Sequence, residues 1–456
     1  MKLEKKSAWM PRASMVAASF LYVMALAYTM EPASAQEDAA ALGATAGEAQ
    51  GRAGVFLTLD DAVSMALEGN PGLAAIEARA RALSEIPEQR GTLPDPQISL
   101  NFMNLPVDTF SFSQEGMTQI QLGISQMIPY PGKLALQEQA AYLEAAAAEA
   151  RVEEMRLQLA RDVRVVWWTL YYFDRAIEIV RNNQDLLRQF VTIAQTKYKV
   201  GKGLQQDVLL AQVELSRFLD KEIALKGMRS QWEARLNALL DRDAASPVRL
   251  DRKVSEHLAS LKDRESLRSL AKEARPLFAG LQKQIDASQS RLELAKKDYY
   301  PDFRVGAVYG FRSGQNPNGS DRADFASLML SMNLPIHTSK RQDRQVDQRT
   351  SELNKTRYAL ADAWAQVDAR IAGGLADYER AREQVSLFRE GIIPQASQTV
   401  ASMRAGYQVN KVDFLNLVRA QITLFNFETQ YWKALSEAKQ ALAKLVAAVG
   451  KENIDE

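Results

Sequence analysis

Gln119-Ile120-Gln121-Leu122-Gly123-Ile124-Ser125 alternates without a break, setting Ile120, Leu122 and Ile124 on one face and Gln119, Gln121, Gly123 and Ser125 on the other. A period of two with one apolar and one polar face marks a strand. The pattern predicts a strand over about 118–128, and three more segments read the same way. In 97–105, Ile98, Leu100 and Phe102 oppose Ser99, Asn101 and Met103. In 303–311, Phe303, Val305, Ala307, Tyr309 and Phe311 oppose Arg304, Gly306 and Gly310. In 325–334, Leu328, Leu330, Met332 and Leu334 oppose Ser327, Ser331 and Asn333. Each has about the length that a tilted strand needs to cross a bilayer, roughly 9–11 residues. The intervening loops, 106–116 and 312–324, are read as polar and suited to solvent. Four strands cannot close a barrel, and in lipid every backbone N–H and C=O must be paired. Known barrels begin at about 8 strands, and a lumen wide enough for solutes favours three or more chains contributing to one wall.

Proline stands at each passage between strand and helix, at Pro94, Pro96, Pro129, Pro131, Pro301 and Pro335. Beyond the second strand, positions 133–200 hold neither glycine nor proline. A continuous helix there would be about 100 Å long, the length of a coiled-coil or bundle rod. A second rod, about 337–405, is interrupted by Gly373-Gly374 and by Gly391-Ile392-Ile393-Pro394, where bends are expected. Val165-Val166-Trp167-Trp168 to Tyr171-Tyr172-Phe173 is apolar nearly all round and reads as a packing belt where helices meet.

The chain repeats itself. Asn70-Pro71 recurs as Arg275-Pro276, Leu93-Pro94-Asp95 as Tyr300-Pro301-Asp302, Ile128-Pro129 as Leu334-Pro335, and Tyr198-Lys199-Val200 as Tyr407-Gln408-Val409, always 205 to 209 residues apart. Four matches in constant order argue for a tandem duplication. The first repeat spans 57–241 and the second 266–450, joined by a polar linker at 242–265. Lys2, Lys5, Lys6 and Arg12 precede an apolar stretch and Ala33-Ser34-Ala35, which reads as a signal peptide over 1–35. A disordered linker is expected over 36–56 and a frayed tail over 451–456.

Composition excludes several classes. With 57 basic and 56 acidic residues, the charge balance gives no support to nucleic-acid capture. Zero cysteines exclude disulfides and thiolate chemistry, and two histidines leave little for metal clusters or general acid–base work. No dinucleotide, Walker, G-x-S-x-G or H-E-x-x-H motif is present, so neither an enzyme nor a cofactor is expected.

Together with the repeat, Asn70-Pro71, Leu93-Pro94-Asp95-Pro96, Gln126-Met127-Ile128-Pro129, Pro131-Gly132-Lys133 and the turns after Tyr198 and Tyr407 resemble the TolC-like outer-membrane efflux family. The resemblance covers about 57–450. It implies a mainly α protein with a small β part, in which three chains share a 12-stranded transmembrane barrel above a long antiparallel α-helical tunnel. It implies an outer-membrane location in a Gram-negative bacterium and contact with outer-membrane lipid. The implied partners are a periplasmic adaptor (membrane fusion) protein and an inner-membrane pump of the proton-driven resistance-nodulation-division type. The family docks its adaptor on the turns at the periplasmic tip, here Gly201, Lys202, Gly203, Asn410 and Lys411. It gates the tip with tyrosines and acids, which places Tyr198, Asp207, Tyr407, Asn416 and Arg419 at the candidate gate. Asn416 and Arg419 stand where some relatives carry two aspartates, so a cation-binding ring is not implied at those positions. For Asp207 the residues alone leave a helix-start charge open, and for both tyrosines a packing role. Asn104-Leu105-Pro106-Val107-Asp108 and Pro129-Tyr130-Pro131-Gly132-Lys133-Leu134 look like the heavy-metal efflux branch. Met103, Met117 and Met127 are soft-metal candidates, although methionine in a strand more often faces lipid or fills packing gaps. The competing reading is a soluble periplasmic coiled-coil adaptor or scaffold that never enters a bilayer.

Overall fold

Helix caps and prolines set the element boundaries. Thr58 accepts from the Asp61 N–H at 3.1 Å and opens α1 (Leu59–Gly69). Asn70 accepts from Leu73 at 3.1 Å, and Pro71, whose missing N–H costs nothing at a helix start, begins α2 (Pro71–Ser84). These details come from a computed structural model that describes residues 56–251 and 253–455. The expected signal peptide lies outside the described residues, as does nearly all of the expected linker. From Leu57 onward the chain folds as one unit.

The remaining first-half elements are α3 (Ile86–Gly91), β1 (Gln97–Met103), β2 (Gln119–Ile128), α4 (Lys133–Lys199) and α5 (Gln205–Leu239). The second half repeats the order as α6 (Arg264–Ala274), α7 (Pro276–Lys297), β3 (Phe303–Phe311), β4 (Phe325–Met332), α8 (Gln342–Leu387), α9 (Ile393–Gln408) and α10 (Phe414–Val449). The duplication extends to the bonds that close each half. Asn70 donates its amide to the Leu239 carbonyl at the end of α5 at 3.0 Å. Its counterpart Arg275 donates to the Ala448 carbonyl at the end of α10 at 3.1 Å. Arg275 also forms a two-pronged pair with Glu154 of α4, at 2.7 and 3.2 Å, with both side chains buried. Removing one partner of such a pair leaves a stranded charge at a cost of about 3–5 kcal/mol, so Arg275 and Glu154 pin the second half to the first rod.

The α4 rod runs 67 residues without interruption. Trp167, Trp168 and Tyr171 pack on it with Leu236, Leu240, Val248 and Leu250, so part of the segment read as a polar linker is core. The second rod differs from expectation. Helix α8 passes through Gly373-Gly374 with no break. A Cβ at Gly374 would lie 2.9 Å from Leu445 Cδ2, so this glycine serves the close approach of α10 rather than a bend. The real irregularity is a π turn, Phe388–Ile392, before Pro394 in the first turn of α9. The wider turn absorbs the hydrogen bond that proline cannot donate. The tail also departs from the frayed expectation. Ile454 is fully buried, and the Lys262 N–H donates to its carbonyl at 3.1 Å, because an isoleucine within reach of the α6–α10 core gains more by packing than by fraying.

The strands form one antiparallel sheet in the order β1-β2-β3-β4. Its register aligns Leu100, Leu122 and Tyr309, aligns Ile98, Ile124, Ala307 and Leu328, and aligns Val305 with Leu330. One face is therefore apolar apart from Gln126, which stands opposite Val305, and Gln97, Ser99, Asn101, Gln121, Ser125, Arg304, Ser327 and Ser331 share the other with Val308 and Phe325. Met103, Met127 and Met329 fall on the polar face by register, and Met332, opposite Phe303, on the apolar one. Among the described residues β1 and β4 each have one unpaired edge, and no helix is long and apolar enough to cross a membrane.

Candidate functional site at the helical tip

The sites expected at the tip lie on the turns joining α4 to α5 and α9 to α10. Both turns are built alike. After α4, Gly201 adopts φ +70°, the Gly201 N–H donates to Tyr198 O at 3.0 Å, and the Lys202 N–H donates to Lys197 O at 2.8 Å. After α9, Asn410 adopts φ +61°, its N–H donates to Tyr407 O at 3.2 Å, and the Lys411 N–H donates to Gly406 O at 2.8 Å. This paired bonding is the Schellman closure of a helix, which needs one left-handed residue and takes glycine or asparagine there.

The side chains then diverge. Tyr198 is 48% exposed and Tyr407 only 6%. Tyr407 packs on Phe414, with ring centroids 5.2 Å apart, in a cluster that includes Leu187, Phe190, Leu417 and Val418. Its hydroxyl is buried without a hydrogen-bond partner. Burial, and secondarily the Asp207 carboxylate, push its pKa up to about 12. Asp207 occupies the first turn of α5, where the helix dipole favours an acid. Burial nonetheless raises its pKa, with Asp413 adding to the rise and the Leu204 backbone and Lys197 opposing it. Asn416 and Arg419 are exposed on the first turns of α10, and Gly201, Lys202, Asn410 and Lys411 are exposed at the turns themselves. Gly203 is half-buried, because a Cβ there would meet Lys197 Cβ at 2.8 Å.

The residue missed in the sequence is Lys197. Its ammonium donates to Tyr407 O at 2.5 Å and to Asn410 Oδ1 at 2.6 Å, and stands 4.1 Å from the Tyr407 ring centroid. It thereby ties the last turn of the first rod to the turn of the second half. A basic residue in the last turn of a helix was the available signal, but the acceptors lie 210 and 213 residues away. Among the described residues no group of three or more His, Cys, Asp or Glu side chains could hold a metal ion.

Each half thus carries a long helical rod between the shared edge-exposed sheet at one end and a closed turn at the other. Residues 62–242 and 267–451 match the family described as outer membrane efflux protein, and the chain belongs to that family. It is 22% identical over 403 residues to the cobalt-zinc-cadmium resistance protein CzcC of Cupriavidus metallidurans, covering 87% of this chain and 90% of the relative. Its fold is that of CusC, at a TM-score of 0.74 and 15% identity over 87% of this chain and 93% of that one. VceC of Vibrio cholerae matches at a TM-score of 0.72 and 18% identity, covering 86% and 96%. The chain is thus an efflux channel of the outer membrane, and the soluble-scaffold reading is set aside.

Proposed function

We propose that three copies close one 12-stranded barrel and that the assembly is a passive exit duct, supplied by an inner-membrane pump through a periplasmic adaptor. The observation that carries this reading is the sheet. It offers one apolar face and two unpaired edges, and lipid tolerates no unpaired edge. Three copies of four strands give a lumen that passes solutes, whereas two give one filled by side chains. The adaptor docks on the exposed turns around Gly201–Gly203 and Asn410-Lys411, and the pump is of the resistance-nodulation-division type. Tyr198, Asp207, Asn416 and Arg419 line the tip opening. The burial of Tyr407 supports a role in fixing the wall behind that opening rather than in lining it.

The cargo is heavy-metal cations, on the relationship to a cobalt-zinc-cadmium resistance protein. The metal passes as cargo. Deleting the gene in its own host, with the pump and adaptor left in place, tests this. Loss of tolerance to cobalt, zinc or cadmium, restored by the intact chain, is the expected outcome. Unchanged metal tolerance with lost tolerance to organic toxicants would move the cargo to another class while keeping the duct.

A further inference from the structure

The two surface hairpins expose different chemistry. The second loop, between β3 and β4, is held by polar groups. The Arg312 N–H and the Tyr309 hydroxyl each donate to Asp324 at 2.8 Å. Arg322 reaches across to the first loop and donates to the carbonyls of Ser113 at 3.2 Å and Glu115 at 2.9 Å. Arg312 adds a bond to the Gly116 carbonyl. The returning limb of the first loop is therefore fastened to its neighbour.

The outgoing limb carries greasy side chains into the open. Val107 is 84% exposed and Phe110 66%. The Phe110 N–H donates to Pro106 O at 2.9 Å, closing a single turn that carries Val107 and ends at Phe110. Phe110 has φ +52°, a left-handed conformation that bulky side chains rarely adopt. Phe112 follows at 6.0 Å from the ring of Phe102, which lies on the apolar face of the sheet. That face is thus continued past the end of β1 onto the loop. Solvent, the expectation for this loop from its composition, is a poor environment for the limb.

We propose that residues 106–112 form a wedge that enters the outer leaflet of the membrane, with Val107 and Phe110 among the acyl chains and Phe112 joining the wedge to the barrel wall. The occupant of this surface is lipid because Phe112 of the same limb packs against Phe102 on the apolar face of the sheet. The proposal rests on the channel reading, and the test separates the two.

The chain has no cysteine, so single nitroxide labels can be placed at Val107→Cys, Phe110→Cys, Leu328→Cys and Ser320→Cys without background. Leu328 is the apolar-face reference and Ser320 the polar-loop reference. The full-length channel is reconstituted in vesicles of phosphatidylethanolamine and phosphatidylglycerol, and collision with oxygen is compared with collision with a water-soluble nickel chelate. Labels at 107 and 110 are expected to favour oxygen, as at 328, while the label at 320 favours nickel. V107C keeps the Phe110 ring, so the test survives if F110C does not assemble. Nickel-favouring labels at 107 and 110 would place the limb in water or in the lumen and overturn the proposal. Shielding from both reagents would assign the patch to a neighbouring copy and overturn it equally. If Leu328 also favours nickel, the channel reading fails along with the wedge.

Discussion

The two tip turns share a backbone and differ in almost everything else. Each closes its helix with the same pair of hydrogen bonds around one left-handed residue, glycine in the first half and asparagine in the second. Yet the first half leaves its tyrosine in solvent, and the second buries the equivalent ring under the lysine ammonium of the first. Even the tight contact is inverted. In the first turn the small partner is Gly203 against Lys197, and in the second it is Gly406 against Val412, where a Cβ would lie 2.5 Å from Val412 Cγ2. After duplication, main-chain hydrogen bonds specify the turn and hold it fixed, while side chains are free to take on separate tasks. The second turn buries its tyrosine, and the first leaves it at the surface.

The contrast breaks most visibly at the tyrosines. Tyr407→Ala deletes a buried ring and is expected to cost about 3–5 kcal/mol locally, read as amide exchange at least 100-fold faster in α9 and the first turns of α10. Tyr198→Ala should leave exchange at its own turn within about twofold, since surface changes stay within roughly 0.5 kcal/mol. Equal effects at the two positions would erase the distinction. Lys197→Met keeps the aliphatic stem but removes two charge-assisted hydrogen bonds and the ammonium over the ring. At this half-exposed site a loss of about 1–2 kcal/mol is expected, with faster exchange in both turns, because Lys197 leaves the first turn and bonds to the second. Gly201→Ala forces a side chain into the left-handed region at about 1 kcal/mol, whereas Gly201→Asn, copying the second half, should be nearly silent in the same assay. The smallest effect is Tyr407→Phe. It removes an unpartnered buried hydroxyl and should be neutral or stabilising by up to about 1 kcal/mol, measured as unchanged or slower exchange.

Acid separates tip from rod. Hydrogen bonds from Lys226, Arg181 and Gln184 hold the Glu222 carboxyl down to about 2. Its contribution to α4–α5 packing is therefore complete above the ordinary carboxylate range and is lost as pH falls towards about 2. Asp207 has the opposite sign. Its raised pKa means the folded tip binds the proton more tightly, so the tip gains stability as pH falls through the ordinary carboxylate range. Exchange measured across an acid titration should show α5 loosening at Glu222 while its first turn tightens.

The sequence made the backbone legible where a local rule decides it. Period-two alternation places all four strands within about two residues of their ends, the glycine- and proline-free stretch matches α4, and the repeat offsets foretell the matched roles of Asn70 and Arg275. The losses are tertiary. Tyr198 and Tyr407 carry the same turn signals, and a cluster that includes the distant Phe190 and Leu187 of the first half buries one and not the other. Lys197 finds its acceptors across the duplication. Gly373-Gly374 reads as a hinge until Leu445 is seen to fill the space a side chain would take. The tail reads as polar until Ile454 meets the core of the second repeat.

The central claim is that four strands with two bare edges become a pore only by sharing a wall. The most direct test is the mass of the purified full-length channel in mild detergent, measured by native mass spectrometry alongside single-channel conductance of the same sample. A particle of three chains that conducts is the predicted result, and a stable single chain, or an assembly that conducts nothing, would contradict it.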